Sequence, residues 1–136
     1  DLIMYLAESK IIDLNIIFSQ DEKVCPDTFT LNVKFENGSI GNINYFSNGN
    51  KKFQKERLEV FTSGRIYQIQ NFQKLKAWGS PNLKTVRKLI QDKGQRECVD
   101  IFLESVKNAN QSPIPFQEIF EVQKWLLFAN KKKLVK

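Results

Sequence analysis

Histidine is missing from the sequence altogether. Its absence excludes a histidine-based catalytic dyad or triad, a histidine-containing zinc site and a histidine pH switch within the chain. Cysteine is nearly as scarce. Cys25 and Cys98 are too few and too far apart for a zinc knuckle or a disulfide framework, so a reduced, cytoplasmic protein is expected. No stretch approaches the ~18 uninterrupted apolar residues of a membrane span, and neither a membrane segment nor a signal peptide is expected. The six glycines build no phosphate loop. Asn48-Gly49-Asn50 holds one of them and does not join a strand to a helix, so the chain carries no dinucleotide fingerprint. Negative charge is in the minority: 21 Lys+Arg against 15 Asp+Glu leave +6, which favours acidic partners without identifying one.

What remains is enough for a core. The 136 residues fit one domain, 1–136, and 41% hydrophobic content with eleven phenylalanines argues against disorder. Leu2, Ile3, Leu6 and Ala7 share a face at helical spacing and read as the end of a helix that starts upstream, as in a fragment of a longer chain. From Ile12 the period becomes two, with Ile12, Leu14, Ile16 and Phe18 on one side of a strand. Phe29, Leu31, Val33 and Phe35 alternate strictly with polar neighbours. Asn37-Gly38 then predicts a tight type I′ turn into a partner strand, 39–47, carrying Ile43 and Tyr45 on one face. A second hairpin is predicted over 57–62 and 65–70 around Ser63-Gly64, followed by strands at 74–78 and 83–90.

Helices return at the C-terminal end. Cys98, Ile101, Phe102, Val106 and Ala109 predict an amphipathic helix over about residues 94–108, with Cys98 as a core thiol and Asp92 as its cap. After Pro113 and Pro115, a helix over 116–130 presents Ile119, Phe120, Val122, Leu126 and Leu127. Glu118 and Glu121 suit its N-terminal end, and Lys131 to Lys133 its C-terminal end. Together these elements predict an α+β fold: one open, largely antiparallel or mixed sheet of about six strands with helices packed on one face.

The residues show no catalytic constellation and no metal site. The stretch 48–55 is the one polar, basic excursion, with Lys51, Lys52 and Lys55 around Phe53. Such a run is most often a solvated loop, here with Phe53 as a buried anchor. It also suits a loop that binds sugars or anions, or, with Phe53 as a stacking platform, nucleic acid. Glu56 and Glu59 stand on strand positions without a spacing diagnostic of acid–base work.

Several ordered blocks carry a resemblance. The run from Phe35 through Gly41, then Asn44-Tyr45-Phe46-Ser47-Asn48-Gly49-Asn50-Lys51, then Lys55-Glu56-Arg57-Leu58-Glu59-Val60-Phe61, resembles the C-terminal domain of the Gfo/Idh/MocA oxidoreductases, relatives of glucose–fructose oxidoreductase and inositol dehydrogenase. Asp92-Lys93-Gly94 and the run from Pro113 through Ile119 are similar to later landmarks, and Asp1 stands where the family's His-x-x-Asp motif ends. The resemblance covers essentially the whole chain. It implies a two-domain NAD- or NADP-dependent enzyme whose upstream Rossmann domain holds the cofactor. The present domain would supply substrate contacts and, through a sheet face, a homo-oligomer interface. Its substrate would be a sugar, inositol or nucleotide sugar.

The family's glycine-rich loop, Glu-Lys-Pro lysine and motif histidine have no counterpart here, and Gln95 stands where relatives often have histidine. The domain alone is therefore expected to be inactive and to bind no cofactor, with no catalytic residue of its own. Asn50, Lys51 and Lys55 are the candidate substrate contacts. The alternative is a stand-alone module that binds an anionic glycan or, less in keeping with the spread of basic residues, nucleic acid.

Overall fold

The structure is a computed structural model that describes residues 1–19 and 27–134. Cys25 lies outside the described residues. In chain order the elements are α1 (Leu2–Ala7), β1 (Ile11–Phe18), β2 (Thr28–Phe35), β3 (Ile40–Phe46), β4 (Arg57–Thr62), β5 (Arg65–Gln70), β6 (Lys74–Trp78), β7 (Val86–Arg87), α2 (Gln95–Lys107) and α3 (Phe116–Leu134). The class is α+β, with every strand pairing antiparallel. Among the described residues seven strands stand against the roughly six expected, and they pair as two sheets, β1-β2-β3 and β4-β5-β6-β7. The division falls at residues 47–56, whose polar run has no alternation to carry a ladder onward.

The chain forms two compact units. The first comprises Asp1–Gly49 and Gln111–Lys136. Its sheet has one apolar face because Leu14, Val33 and Gly41 stand in register, as do Ile16, Leu31 and Ile43. Leu14, Leu31, Val33 and Phe35 are buried there, covered by Ile3, Met4 and Ala7 of α1 and by Trp125 and Ala129 of α3. Phe18, Phe29 and Tyr45 form a row at the far end of this face, with the Phe29 and Tyr45 rings stacked and the Phe18 ring tilted against Phe29. On the other face the strands are tied by side chains: Thr30 Oγ1 donates to Asn44 Oδ1 at 2.8 Å, and Asn42 Nδ2 to Asn32 Oδ1 at 2.7 Å.

Four sequence expectations are corrected in this unit. A β-bulge between Ile11 and Asp13 turns Ile12 outward and gives Ile11 the inward place. In α1, Met4 joins Ile3 and Ala7 on the core while Leu2 and Leu6 are exposed. The Asn37-Gly38 turn is not type I′, because only Gly38 has positive φ. The Asn37 side chain is engaged instead, accepting from Ser39 N at 3.0 Å and donating to Ala7 O at 2.9 Å, which spans the turn over residues 36–39. In α3 the inward stripe is Val122, Trp125 and Ala129, whereas Ile119, Phe120, Leu126 and Leu127 are exposed.

The second unit is Asn50–Asn110. Leu58, Ile69, Leu75 and Val86 stand in register across its sheet and form the apolar face. The opposite face is polar apart from the row Phe61, Ile66 and Trp78 at one end, and Glu59 Oε1 accepts there from Arg57 Nε at 3.0 Å and Gln68 Nε2 at 2.6 Å. Ser63 and Gly64 both have positive φ, as the type I′ hairpin requires. The strand expected over 83–90 shrinks to Val86–Arg87. Cys98 is exposed rather than a core thiol. Asp92 does not cap α2, whose N-cap is Gly94; its carboxylate accepts from Gly94 N at 2.9 Å instead.

Candidate binding cleft

The site assembles on the second unit from three segments distant in sequence. The first is the basic run 50–56. Asn50 organises it: its carbonyl accepts from Phe53 N at 2.9 Å and its Oδ1 accepts from Lys52 N at 2.9 Å. These bonds curl the loop, so that Lys51, Lys52, Phe53, Gln54 and Lys55 contribute to the wall of an open cleft of about 390 Å³. Of the three residues singled out by sequence, Lys51 and Lys55 line the cleft and Asn50 shapes the loop behind them.

The second segment is the β5–β6 turn. Asn71 and Phe72 both adopt left-handed backbone, at φ 50° and 51°. Asparagine tolerates that conformation, but a bulky phenylalanine does so only where its surroundings impose it. Here the imposition is visible: Asn71 N donates to Glu56 O at 2.7 Å, Gln73 N to Gln70 O at 3.0 Å, and Asp92 N to Phe72 O at 3.3 Å. The third segment is 88–93, which runs along the turn through Lys88 N to Gln73 O at 2.8 Å.

At the junction stands Glu56. Its carboxylate accepts from Lys93 Nζ and, at 3.1 Å, from Gln91 Nε2, which also lies 3.0 Å from Asn71 Oδ1. Glu56, Asn71, Gln91 and Lys93 complete the lining of the cleft. A smaller pocket of about 200 Å³ adjoins it across Lys55 and Glu56, floored by Leu58, Ile69 and Phe72. Sequence reasoning named Lys51 and Lys55 because a charge run is visible in one dimension. Asn71 and Gln91 carried no signal, because only the β5–β6 turn brings them to Glu56.

The electrostatics are one-sided. The Lys93 ammonium, above all through its hydrogen bond, holds the Glu56 carboxyl below its ordinary value, with Lys55 adding to the effect. Asp92 is likewise held low by its bond from Lys88 and then by Gly94 N, and Lys88 is raised in return. Lys51, Lys52 and Lys55 make no ion pair with a carboxylate among the described residues. On the polar sheet face, burial and the neighbouring Arg87 and Lys76 lower the Lys74 ammonium.

The acid behaviour follows from these directions. Glu56 and Asp92 bind protons less readily in the folded unit than in the unfolded chain. Their stabilising contribution is complete above the ordinary values of 4.5 and 3.8 and is lost as pH falls through the lowered ones. Urea midpoints taken from about pH 6 down to about pH 3 should therefore fall, and Glu56→Gln should flatten part of that fall. An unchanged slope in the variant would show that the Lys93 contact does not stabilise the unit.

The arrangement can hold hydroxyls through amides and ammonium groups, and anions through unpaired lysines. Gly49 follows β3 and leads toward another strand, β4, so it does not stand at a strand-to-helix turn. Among the described residues no group of His, Cys, Asp and Glu is arranged to hold a metal ion, and no helix is long and apolar enough to cross a membrane. Comparison with protein-family models, with curated proteins and with solved structures finds no match.

Proposed function

We propose that the chain is the substrate-binding and oligomerisation domain of an NAD- or NADP-dependent sugar-type oxidoreductase, with hydride transfer residing in an upstream Rossmann domain. The reading rests on the resemblance carried by residues 35–61 and 92–94. The observation that supports it best is that Lys51 and Lys55 meet Asn71, Gln91 and Lys93 around one cleft. That donor-rich set suits a polyhydroxylated ligand. In this role Lys51 and Lys55 bind and orient substrate, while Asn50 and the Glu56–Gln91–Asn71 bonds hold the walls in place. The polar face of the first sheet, with Ile17, Ile40 and Phe46 exposed among Thr30, Asn32, Asn42 and Asn44, suits the homo-oligomer contact.

The test is made on the full-length gene product. Upstream of Asp1 it should encode a strand–turn–helix with a Gly-x-Gly-x-x-Gly/Ala loop, a Glu-Lys-Pro lysine and a histidine three residues before Asp1. The purified protein should reduce NAD or NADP with a sugar substrate and run as a dimer or larger in light scattering. Lys51→Ala with Lys55→Ala should raise KM about tenfold and leave kcat within about twofold, as loss of ground-state binding requires. A start codon directly before Asp1, or a loss confined to kcat, would overturn the assignment.

A further inference from the structure

We propose that the cleft selects phosphate-bearing sugars over neutral or carboxylate-bearing ones, a narrowing that rests on the sugar-binding reading above. The first argument is charge. The lining carries Lys51, Lys52, Lys55 and Lys93 against one carboxylate, Glu56, an excess of three positive charges. Glu56 is already engaged by Lys93, so the other three lysines of the lining have no carboxylate partner among the described residues. A neutral sugar offers them only hydroxyls, whereas an anionic partner also neutralises their charge and makes both ends of each bond charged.

The second argument is residue type. The two-pronged guanidinium matches carboxylate and phosphate alike, and the lining has no arginine, so recognition of an anion falls to point charges. Arg57, next in sequence, is held by Glu59 and lies on the neighbouring pocket. Three separate point charges on flexible stems can each reach one of the three splayed oxygens of a phosphate, whereas a carboxylate offers two in one plane.

The third argument is Phe53. It is 75% exposed, so it is not the loop's buried anchor, and its ring stands among the lysines as an open apolar face. A sugar ring or a base covering it would shed water from both partners. Phe53 is also the one aromatic residue of the lining, and a cleft of about 390 Å³ is of small-molecule size. A nucleic-acid strand calls for successive stacking platforms along a groove, which this lining does not offer.

Calorimetric titration of the full chain with glucose, glucuronate, glucose 1-phosphate and UDP-glucose separates the possibilities. Both phosphate-bearing probes should bind at least about tenfold more tightly than the other two, with amide shifts confined to residues 51–56, 71 and 91–93. The combined Lys51→Ala, Lys52→Ala and Lys55→Ala variant, checked for folding by circular dichroism, should abolish that preference by weakening both phosphate-bearing probes far more than glucose. Phe53→Ala should weaken UDP-glucose.

Equal binding of all four probes would overturn the phosphate inference and leave the sugar site standing. Preference for glucuronate would overturn it in favour of a hexuronate site. No binding of any probe would overturn the cleft reading itself. Tighter binding of a short oligothymidylate, with a steep loss between about 50 and 200 mM salt, would overturn both in favour of nucleic acid.

Discussion

Phe35→Ala should cost the first unit about 3–5 kcal/mol, a large part of the 5–15 kcal/mol by which a domain of this size is usually stable. Phe35 is 1% exposed, the most completely enclosed large side chain among the described residues. It closes the end of β2, packs with Leu14, Leu31 and Val33, and reaches over Gly41 of the neighbouring strand, where a side chain would lie 3.5 Å from the ring. Truncation removes the ring's transfer free energy and leaves a cavity. Sheet backbone on one side and helices on the other limit how far that cavity can collapse. The surface residues Phe46 and Phe61 provide the contrast, and their alanine variants should stay within about 0.5 kcal/mol in the isolated chain. Urea unfolding followed through Trp125, with Trp78 changed to Phe so that one indole reports, measures the difference. A loss below about 1 kcal/mol would mean that the ring is not enclosed.

Strands were the most legible part of this sequence, for a reason that Phe35 illustrates. A sheet with one buried face imposes a period of two, and Phe29, Leu31, Val33 and Phe35 display it without interruption. The bounds expected for β4, β5 and β6 coincide with those observed. The helices were less legible because α3 is apolar around much of its circumference. Ile119, Phe120, Leu126 and Leu127 compete with Val122 and Trp125, and periodicity alone does not choose between them. The choice is tertiary: Ala129 is small enough to be buried against the sheet beside Trp125, and that turns the larger residues outward. The Ile12 bulge and the side-chain bonds of Asn37 are equally invisible to a pattern of apolar positions.

The cleft divides in the same way. Its lysines form a run in the sequence, but Glu56 and Gln91 are 35 positions apart and meet at Asn71 only after the β5–β6 hairpin has closed. The left-handed backbone at Asn71 and Phe72 had no glycine to announce it. Bonds from neighbouring segments hold that turn, so its conformation belongs to the folded unit rather than to local preference. The lysine loop shows the opposite causation. Asn50 bonds to residues two and three positions ahead, so the loop carries its own folding instructions.

Gly79→Ala should destabilise the second unit by about 3 kcal/mol, and Gly64→Ala by about 1 kcal/mol. Both glycines have positive φ, at 69° and 75°, so both variants bear the cost of left-handed backbone. Their surroundings differ. A Cβ on Gly64 would meet nothing within 4 Å, whereas one on Gly79 would lie 2.5 Å from the Gly64 carbonyl oxygen. The cause is the register: Trp78 pairs with Ile66, and this carries the chain after β6 across the backbone of the β4–β5 turn. A rotamer change relieves a clash with a side chain, but a clash with a carbonyl is relieved only by moving one of the two turns. The difference of about 2 kcal/mol between the variants therefore isolates the close approach from the backbone strain they share. Fluorescence of Trp78, adjacent to Gly79, reports the urea midpoint for both. Equal losses would show that the turn and the end of β6 do not touch, and unequal ones that glycine is required at position 79 for space as well as for conformation.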